Sequence, residues 1–457
     1  MTNDLTVGKP SRVLLKLSLP MFISVIFQQM YNLADSIIAG QFAGENALAA
    51  VGASYPITMI FMAIAVGLNI GCSVVISQLF GSKQLEKTKT AISTTLIFAF
   101  ALSAVLTVVG IFVSAPIMQA VNTPSDIFVD GVEYLQIYAA GFVFLFLYNA
   151  TTAVFTALGD TRTPLMFLIV SSVLNIVLDY VFVAVCHWGV SGVAWATFIA
   201  QGLACVCSLT TLLINLKKIK TEKYKKFSFS MLGKISKIAF PSILQQSFIS
   251  VGNILIQIVI NGFGASVVAG FSAVIKLNAF AIMCIMNMAN GLSTFTAQNI
   301  GAGKLERIKK AYFVDMIYMF IIILPFVFLF CFGGEFMMKL FVMNISQEAL
   351  DTGMLMLKII SPFYLICAFK LLSDAVLRGS GAMLMFMIST FTDLILRVVI
   401  SFVWSEQIGM LAVCWSWPIG WVAGTVISVI FYASGKWKKN AKKFDLENKP
   451  QNVDIAS

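Results

Sequence analysis

Two carboxylates stand inside apolar runs of this chain, each with amide side chains on its own helical face. The first is Asp35, in Leu19 to Gly40 (LPMFISVIFQQMYNLADSIIAG). At about 3.6 residues per turn, Gln28, Asn32 and Asp35 share one side of a helix. The second is Asp179, in SSVLNIVLDYVFV, one turn beyond Asn175. A carboxylate inside a bilayer costs about 2.5–3.5 kcal/mol on insertion scales. A proton, a bound cation or an aqueous cavity has to offset that. Two acids brought to one dry pocket repel, so such a pair can hold a proton or share a Na⁺ with neutral oxygens. Asn175, Asn149 and Thr197 are the candidate oxygens, because a hard cation takes oxygen ligands. The competing readings are an Asp35 that merely reaches the interface, and two unrelated acids that are each paired or snorkelling.

The second half of the chain offers different chemistry. Lys370 and Asp374 are spaced i, i+4, as are Asp393 and Arg397. Both read as ion pairs within one helix that lower the cost of insertion, with a direct substrate role as the competing reading. Lys276 has no such partner nearby in sequence. Gln245, Gln246, Asn253, Gln257, Asn278, Asn287 and Asn290 either line a cavity or bond helix to helix. We place Gln28, Asn32, Gln245, Asn253 and Asn278 on a substrate cavity. No GxSxG, HExxH or phosphate-binding GxxxxGK[ST] pattern occurs, so no enzyme activity is expected and transport must run on an ion gradient or downhill. The eight cysteines form no CxxC pair and read as small hydrophobes, and His187 beside Trp188 reads as a residue of the interfacial belt, so no structural metal is expected.

The elements that carry these residues are membrane spans. Of 457 residues, 59% are hydrophobic and only 11% charged, with mean hydropathy +0.90. That excludes a soluble domain and predicts an all-α protein of twelve spans, the first at roughly 13–39, the fourth at roughly 131–157 and the last at roughly 409–432. Met1 to Leu17 is polar and basic with no cleavage site, so no signal peptide is expected. The net charge of +10 sits in alternate loops (Lys83, Lys87 and Lys89; Arg162; Lys304, Arg307, Lys309 and Lys310), while the others carry Asp126, Asp130, Glu133, Glu348 or Glu406. This is a positive-inside pattern, not a nucleic-acid surface, and it predicts cytoplasmic termini. The Lys217–Lys226 cluster reads as an anchor near anionic lipid. Spans one and five then both run outward, which sets Asp35 and Asp179 at similar depth.

The chain repeats itself. FGSKQLEKTKTA (Phe80 to Ala91) matches IGAGKLERIKKA (Ile300 to Ala311) at an offset of 220. Pro20 and Asn32 meet Pro241 and Asn253 at an offset of 221, and Gly189 and Trp195 meet Gly409 and Trp415. Two six-helix bundles therefore follow one another, related by an axis along the membrane normal. We divide the chain into an N-terminal lobe (1–216), a basic linker (217–234), a C-terminal lobe (235–434) and a disordered tail (435–457). Asp35 meets Ile256, and Asp179 meets Ser401 or a near neighbour, so at these equivalent places acidic polarity is concentrated in the first bundle. Pro20, about four turns below Asp35, is either a hinge or a fixed kink.

NLADSIIAGQFAGENALAAVG, LGDTRTP, NIVLDY and TFTAQNIGAGKLERIKK together make the chain resemble a MATE (multidrug and toxic compound extrusion) transporter of the DinF-like prokaryotic branch. The resemblance covers roughly Lys9 to Ser434 and implies two six-helix lobes around a central cavity. It implies export of organic, often cationic, compounds in exchange for H⁺ or Na⁺, without a cofactor. It further implies a cation site at Asp35, Asn175, Asp179 and Thr197, with Asn149 close by. A C-lobe cation site, as in other branches, is not expected, because Gln245 and Gln246 stand where those branches place an acid. A bacterial plasma-membrane monomer in contact with lipid fits this reading. A flippase for a lipid-linked precursor is the alternative.

Overall fold

The computed structural model describes residues 3–120, 123–219, 221, 223–341 and 346–440. Among them the chain is helical, without strands. The N-terminal half comprises α1 (Pro10–Ile38), α2 (Glu45–Gly81), α3 (Leu85–Ala120), α4 (Ser125–Ala140), α5 (Phe142–Ala157), α6 (Arg162–Asp179) and α7 (Gly189–Lys218). The C-terminal half comprises α8 (Phe229–Asn261), α9 (Ala265–Gly301), α10 (Leu305–Phe332), α11 (Gly334–Phe341), α12 (Gln347–Ile360), α13 (Tyr364–Gly379), α14 (Met383–Ile408) and α15 (Met410–Ala433). In lipid every backbone polar group must be satisfied within the segment, which leaves helices as the form these runs can take. Large side chains such as Phe112 (78% exposed) and Leu384 (72%) point outward, where a bilayer would cover them.

Among the described residues, eleven helical stretches are long and apolar enough to cross a membrane, or twelve with α4 and α5 taken as one span. The sequence reads that fourth span as one continuous run. The structure breaks it at Gly141 by 46°. Two further irregularities adjoin the acids: π-helical turns at Ala39–Ala43, just past Asp35, and at Tyr180–Val185, directly after Asp179. Such turns are rare and cluster at functional sites.

The halves meet at the end that carries Lys83 and Lys304. Gly67 and Gly71, one turn apart on α2, lie against Ile243 and Ala239 of α8; a Cβ on Gly71 would come within 2.6 Å of the Ala239 Cβ. Small residues at that spacing let two backbones approach closely. Nearer the turns, a Cβ on Gly81 would strike the Gln298 carbonyl and one on Gly301 the Gln78 carbonyl. Residues 3–8 cross this closed end as a strap. Asn3 N–H donates to the Leu158 carbonyl (2.9 Å), Leu5 N–H to Gln298 Oε1 (3.0 Å), and Arg307 Nη1 to the Gly8 carbonyl (2.8 Å). Asp4 pairs with Lys83 at 2.5 Å.

The proposed tail begins in order, contrary to expectation. Trp437 is 1% exposed, stacks on Tyr432 and donates Nε1–H to its carbonyl (3.0 Å). A bulky aromatic with a docking site nearby orders the backbone around it. Residues 441–457, and positions 220 and 222 of the linker, lie outside the described residues.

Candidate cation site and central cavity

Asp35 rides on the last full turn of α1 and Asp179 closes α6. α1 packs along α6, and α7 covers both π-helical turns. This brings the two carboxyls close enough for each charge to act on the other. Asp179 is fully buried and Asp35 half-buried. Asp35 Oδ1, both Asp179 oxygens, Asn175 Nδ2 and Ser172 Oγ are buried without a hydrogen-bond partner. A buried polar atom without a partner costs about 1–3 kcal/mol, more for a charged one. Those on Asp35, Asp179 and Asn175 describe a site that wants an occupant. Acceptors dominate, so a proton or a hard cation suits it.

The structure does not gather every predicted residue there. Thr197 is half-buried on α7, the helix that covers the π turns. Asn149 instead lines the central cavity and turns its Nδ2 onto the Leu145 carbonyl (2.9 Å), one turn back in its own helix. Asn32 faces out: it is exposed and donates to Gln29 Oε1 at 3.3 Å. Two neighbours escaped the sequence reading. Tyr31 and Tyr134 lie within electrostatic reach of both acids. Tyr31 is one turn before Asp35, so the i, i+4 rule was a usable signal; Tyr134, from another helix, gave none.

A cavity of ≈ 600 Å³ opens between the halves, the size of sites for drug-sized ligands. Gln28 lines it, two turns below Asp35 on the same helix, and so do Gln245, Asn253 and Asn278. Asn278 accepts from Tyr364 OH (3.0 Å), and Gln245 Nε2 donates to Thr390 Oγ1 (3.4 Å). Gln246, Asn287 and Asn290 join them on the wall; Gln257 instead bonds Asn261 Oδ1 at 2.8 Å. Pro20 is buried inside α1, and Ser24 Oγ donates to its carbonyl at 2.9 Å. Lys276 is exposed.

The two C-terminal ion pairs are not separate. Lys370 Nζ lies 3.1 Å from Asp374 and 3.7 Å from Asp393, which Arg397 Nη2 reaches at 3.0 Å. All four line the cavity. Asp374 also accepts from Ser389 (3.0 Å) and Ser428, so its oxygens are filled. The position equivalent to Asp35 is Ile256, 2% exposed in an apolar core, and Ser401 bonds Ser416 (3.0 Å) and the Arg397 carbonyl (2.8 Å). Among the described residues, no group of three or more His, Cys, Asp or Glu could hold a metal.

Known proteins share this architecture. A protein of Bacillus subtilis (strain 168) named a probable multidrug resistance protein, YpnP, is 27% identical over 437 residues, covering 95% of this chain and 97% of that one. A FAD transporter of Shewanella oneidensis is 27% identical over 313 residues, covering 67% and 68%. A solved structure, an outward-facing multidrug resistance MATE family transporter of the MOP superfamily, superposes with TM-score 0.89 at 24% identity over 96% of this chain and 99% of that one. MatE matches residues 20–181 and 241–403, one segment in each half. The chain is thus a multi-pass membrane transporter, not an enzyme, and it belongs to the MatE family.

Proposed function

We propose that this protein is a cation-coupled antiporter that exports organic compounds, with the Asp35–Asp179 pair as the site where H⁺ or Na⁺ binds. The supporting observation is the set of buried acceptors without donors at that pair, on a helix that also lines the central cavity at Gln28. Asn175 and Thr197 complete the oxygen set. Cargo occupies the cavity, where Tyr148 and Trp421 offer aromatic faces to a cationic body. Cation entry removes the repulsion between the acids and lets α1 move relative to α6. Because α1 spans both sites, that motion reshapes the cavity wall, with Pro20 as the flexing point. One elementary charge crossing 100 mV supplies about 2.3 kcal/mol. The basic end faces the cytoplasm of a bacterium, so both termini lie inside the plasma membrane, and the unit is a monomer in contact with lipid. The named multidrug relatives favour export over the lipid-precursor flippase.

The test is uptake of a fluorescent organic cation into proteoliposomes under a pH gradient alone and then a Na⁺ gradient alone. Wild type should respond to one gradient, and Asp35→Asn and Asp179→Asn to neither. Variants that transport as wild type does would remove the acids from the mechanism.

A further inference from the structure

The cavity wall of the C-terminal half carries the opposite imbalance. Arg397 and Trp417 are 6% and 7% exposed and both line the cavity. The guanidinium lies 4.1 Å from the centre of the indole ring. Arg397 Nε–H and Trp417 Nε1–H are buried without partners, while the acids beside them are satisfied. Asp374 takes Lys370, Ser389 and Ser428; Asp393 takes Lys370 and Arg397. Lys370, Arg378 and Arg397 thus outnumber two carboxylates on this wall. α15 is trimmed to seat the group: a Cβ on Gly424 would come within 2.6 Å of Lys370 Cε, and one on Gly420 within 2.6 Å of Asp393 Oδ1.

The repeat gives these positions a second meaning. With LNIVLDYVF (174–182) laid on LRVVISFVW (396–404), Asp179 falls on Ser401 and Asn175 on Arg397. The offset that joins Gly189 to Gly409 joins Thr197 to Trp417. The corner that collects acceptors in one half collects donors in the other. Two strong N–H donors held in a dry wall, beside carboxylates that need nothing more, are complementary to an oxyanion.

We infer that the Arg397–Trp417 corner of the cavity is a binding subsite for an oxyanion, a carboxylate or phosphate, carried by the transported compound. It rests on the reading that cargo occupies the central cavity. The compounds it favours pair an aromatic or cationic body with an anionic group, so that the body meets the amide-lined wall and the oxyanion meets Arg397 and Trp417.

The experiment compares a zwitterionic rhodamine carboxylic acid with its methyl ester, which differ only in that group. Binding is read by dye anisotropy on purified protein in phosphatidylcholine nanodiscs. Wild type should hold the acid roughly tenfold tighter than the ester, the change expected for one charge-assisted hydrogen bond. Arg397→Gln and, independently, Trp417→Phe, which keeps an aromatic ring but removes the N–H, should erase that preference and leave ester affinity within about twofold. Equal wild-type affinities, or variants that weaken both dyes alike, overturn the subsite and leave the cavity reading standing. If neither dye binds wild type, the cavity reading falls and the subsite with it. If phosphatidylglycerol added to the nanodiscs abolishes the preference, an anionic lipid is the occupant and the assignment to cargo is overturned.

Discussion

The two halves share a backbone plan and fill its equivalent corner in opposite ways. In the N-terminal half, Asp35 Oδ1 and both Asp179 oxygens are buried with no donor beyond the other acid's own carboxyl. On the C-terminal cavity wall, Asp374 and Asp393 are acids with donors to spare, whereas Asp315 on α10, outside the cavity lining, is as bare as the N-terminal pair. All five are carboxylates in membrane helices, so residue type does not tell a binding site from a structural one. The balance of partners does. A saturated carboxylate is part of the scaffold, and one left bare in a dry interior carries a standing cost that only an exchangeable occupant removes. The surplus donors of Arg397 and Trp417 are the same argument with the sign reversed.

The sharpest way to break that comparison is transport. Removing either bare acid uncouples transport, so the accumulation that the ion gradient drives, roughly tenfold for a tenfold gradient exchanged one for one, should collapse towards unity in Asp35→Asn and Asp179→Asn vesicles. Arg397→Gln should keep gradient-driven accumulation and change only which compounds are accumulated. Accumulation ratios for a fluorescent cation in the three variants decide the matter. A loss of coupling in Arg397→Gln equal to that in Asp179→Asn would erase the distinction between the halves.

Stability should rank the acids the other way. Asp393→Ala strands Arg397 in a buried wall while Lys370 keeps Asp374, and breaking such a pair costs about 3–5 kcal/mol. Asp179→Asn breaks no hydrogen bond and removes a buried charge, so its thermal midpoint in detergent should equal or exceed that of wild type. Comparable losses in the two variants would mean that Asp179 has structural partners after all.

The closed end should be stiff in both halves alike. An alanine at Gly81 or Gly301 puts a methyl group onto a carbonyl of the other half, a clash worth about 1–3 kcal/mol. That should depopulate the state sealed at Lys83 and Lys304. Spin labels at Ser82 and Ala302 in a cysteine-free background should show a longer mean distance in either variant than without the substitution. An unchanged distance distribution would show that the contact is not what holds this end shut.

Much of this was legible before any coordinates. The helical class, the duplicated halves and the pairing of Asp35 with Asp179 follow from hydropathy, offset and charge alternation, signals that each extend over many residues. Contacts between different helices were not legible. Lys370–Asp374 and Asp393–Arg397 read as two private pairs because i, i+4 spacing reports only on one helix; the 3.7 Å contact from Lys370 to Asp393 that merges them crosses from α13 to α14. Asn149 reads as a candidate oxygen beside the acids because it is an amide on a neighbouring span; sequence does not show which way a helix turns, and in the structure, where the span bends by 46° at Gly141, Asn149 lines the cavity. Asn32 shares a helical face with Gln28 and Asp35 by arithmetic. In the structure Asn32 is exposed and bonds Gln29 rather than joining the cavity wall, while Asp35 one turn further on is half-buried.

The smallest effect concerns the strap, which ties the halves together at their closed end. Burial pushes the Asp4 carboxyl up, but hydrogen bonds from Lys83 and Thr6 outweigh it and hold the group at about 2, against an ordinary 3.8. A carboxylate depressed in the folded state contributes stability above its unfolded value, and that contribution is lost as pH falls through the folded one. The strap contribution should therefore be constant from neutral pH down to about 4 and vanish on approach to about 2. Lys83 is 63% exposed, so solvent screening keeps the worth of the pair below about 1 kcal/mol and makes it weaken in salt. The difference in melting temperature between wild type and Asp4→Asn, followed against pH and ionic strength, reads this directly. A difference that persists at pH 2, or ignores salt, would show that Asp4 acts through something other than the charge it presents to Lys83.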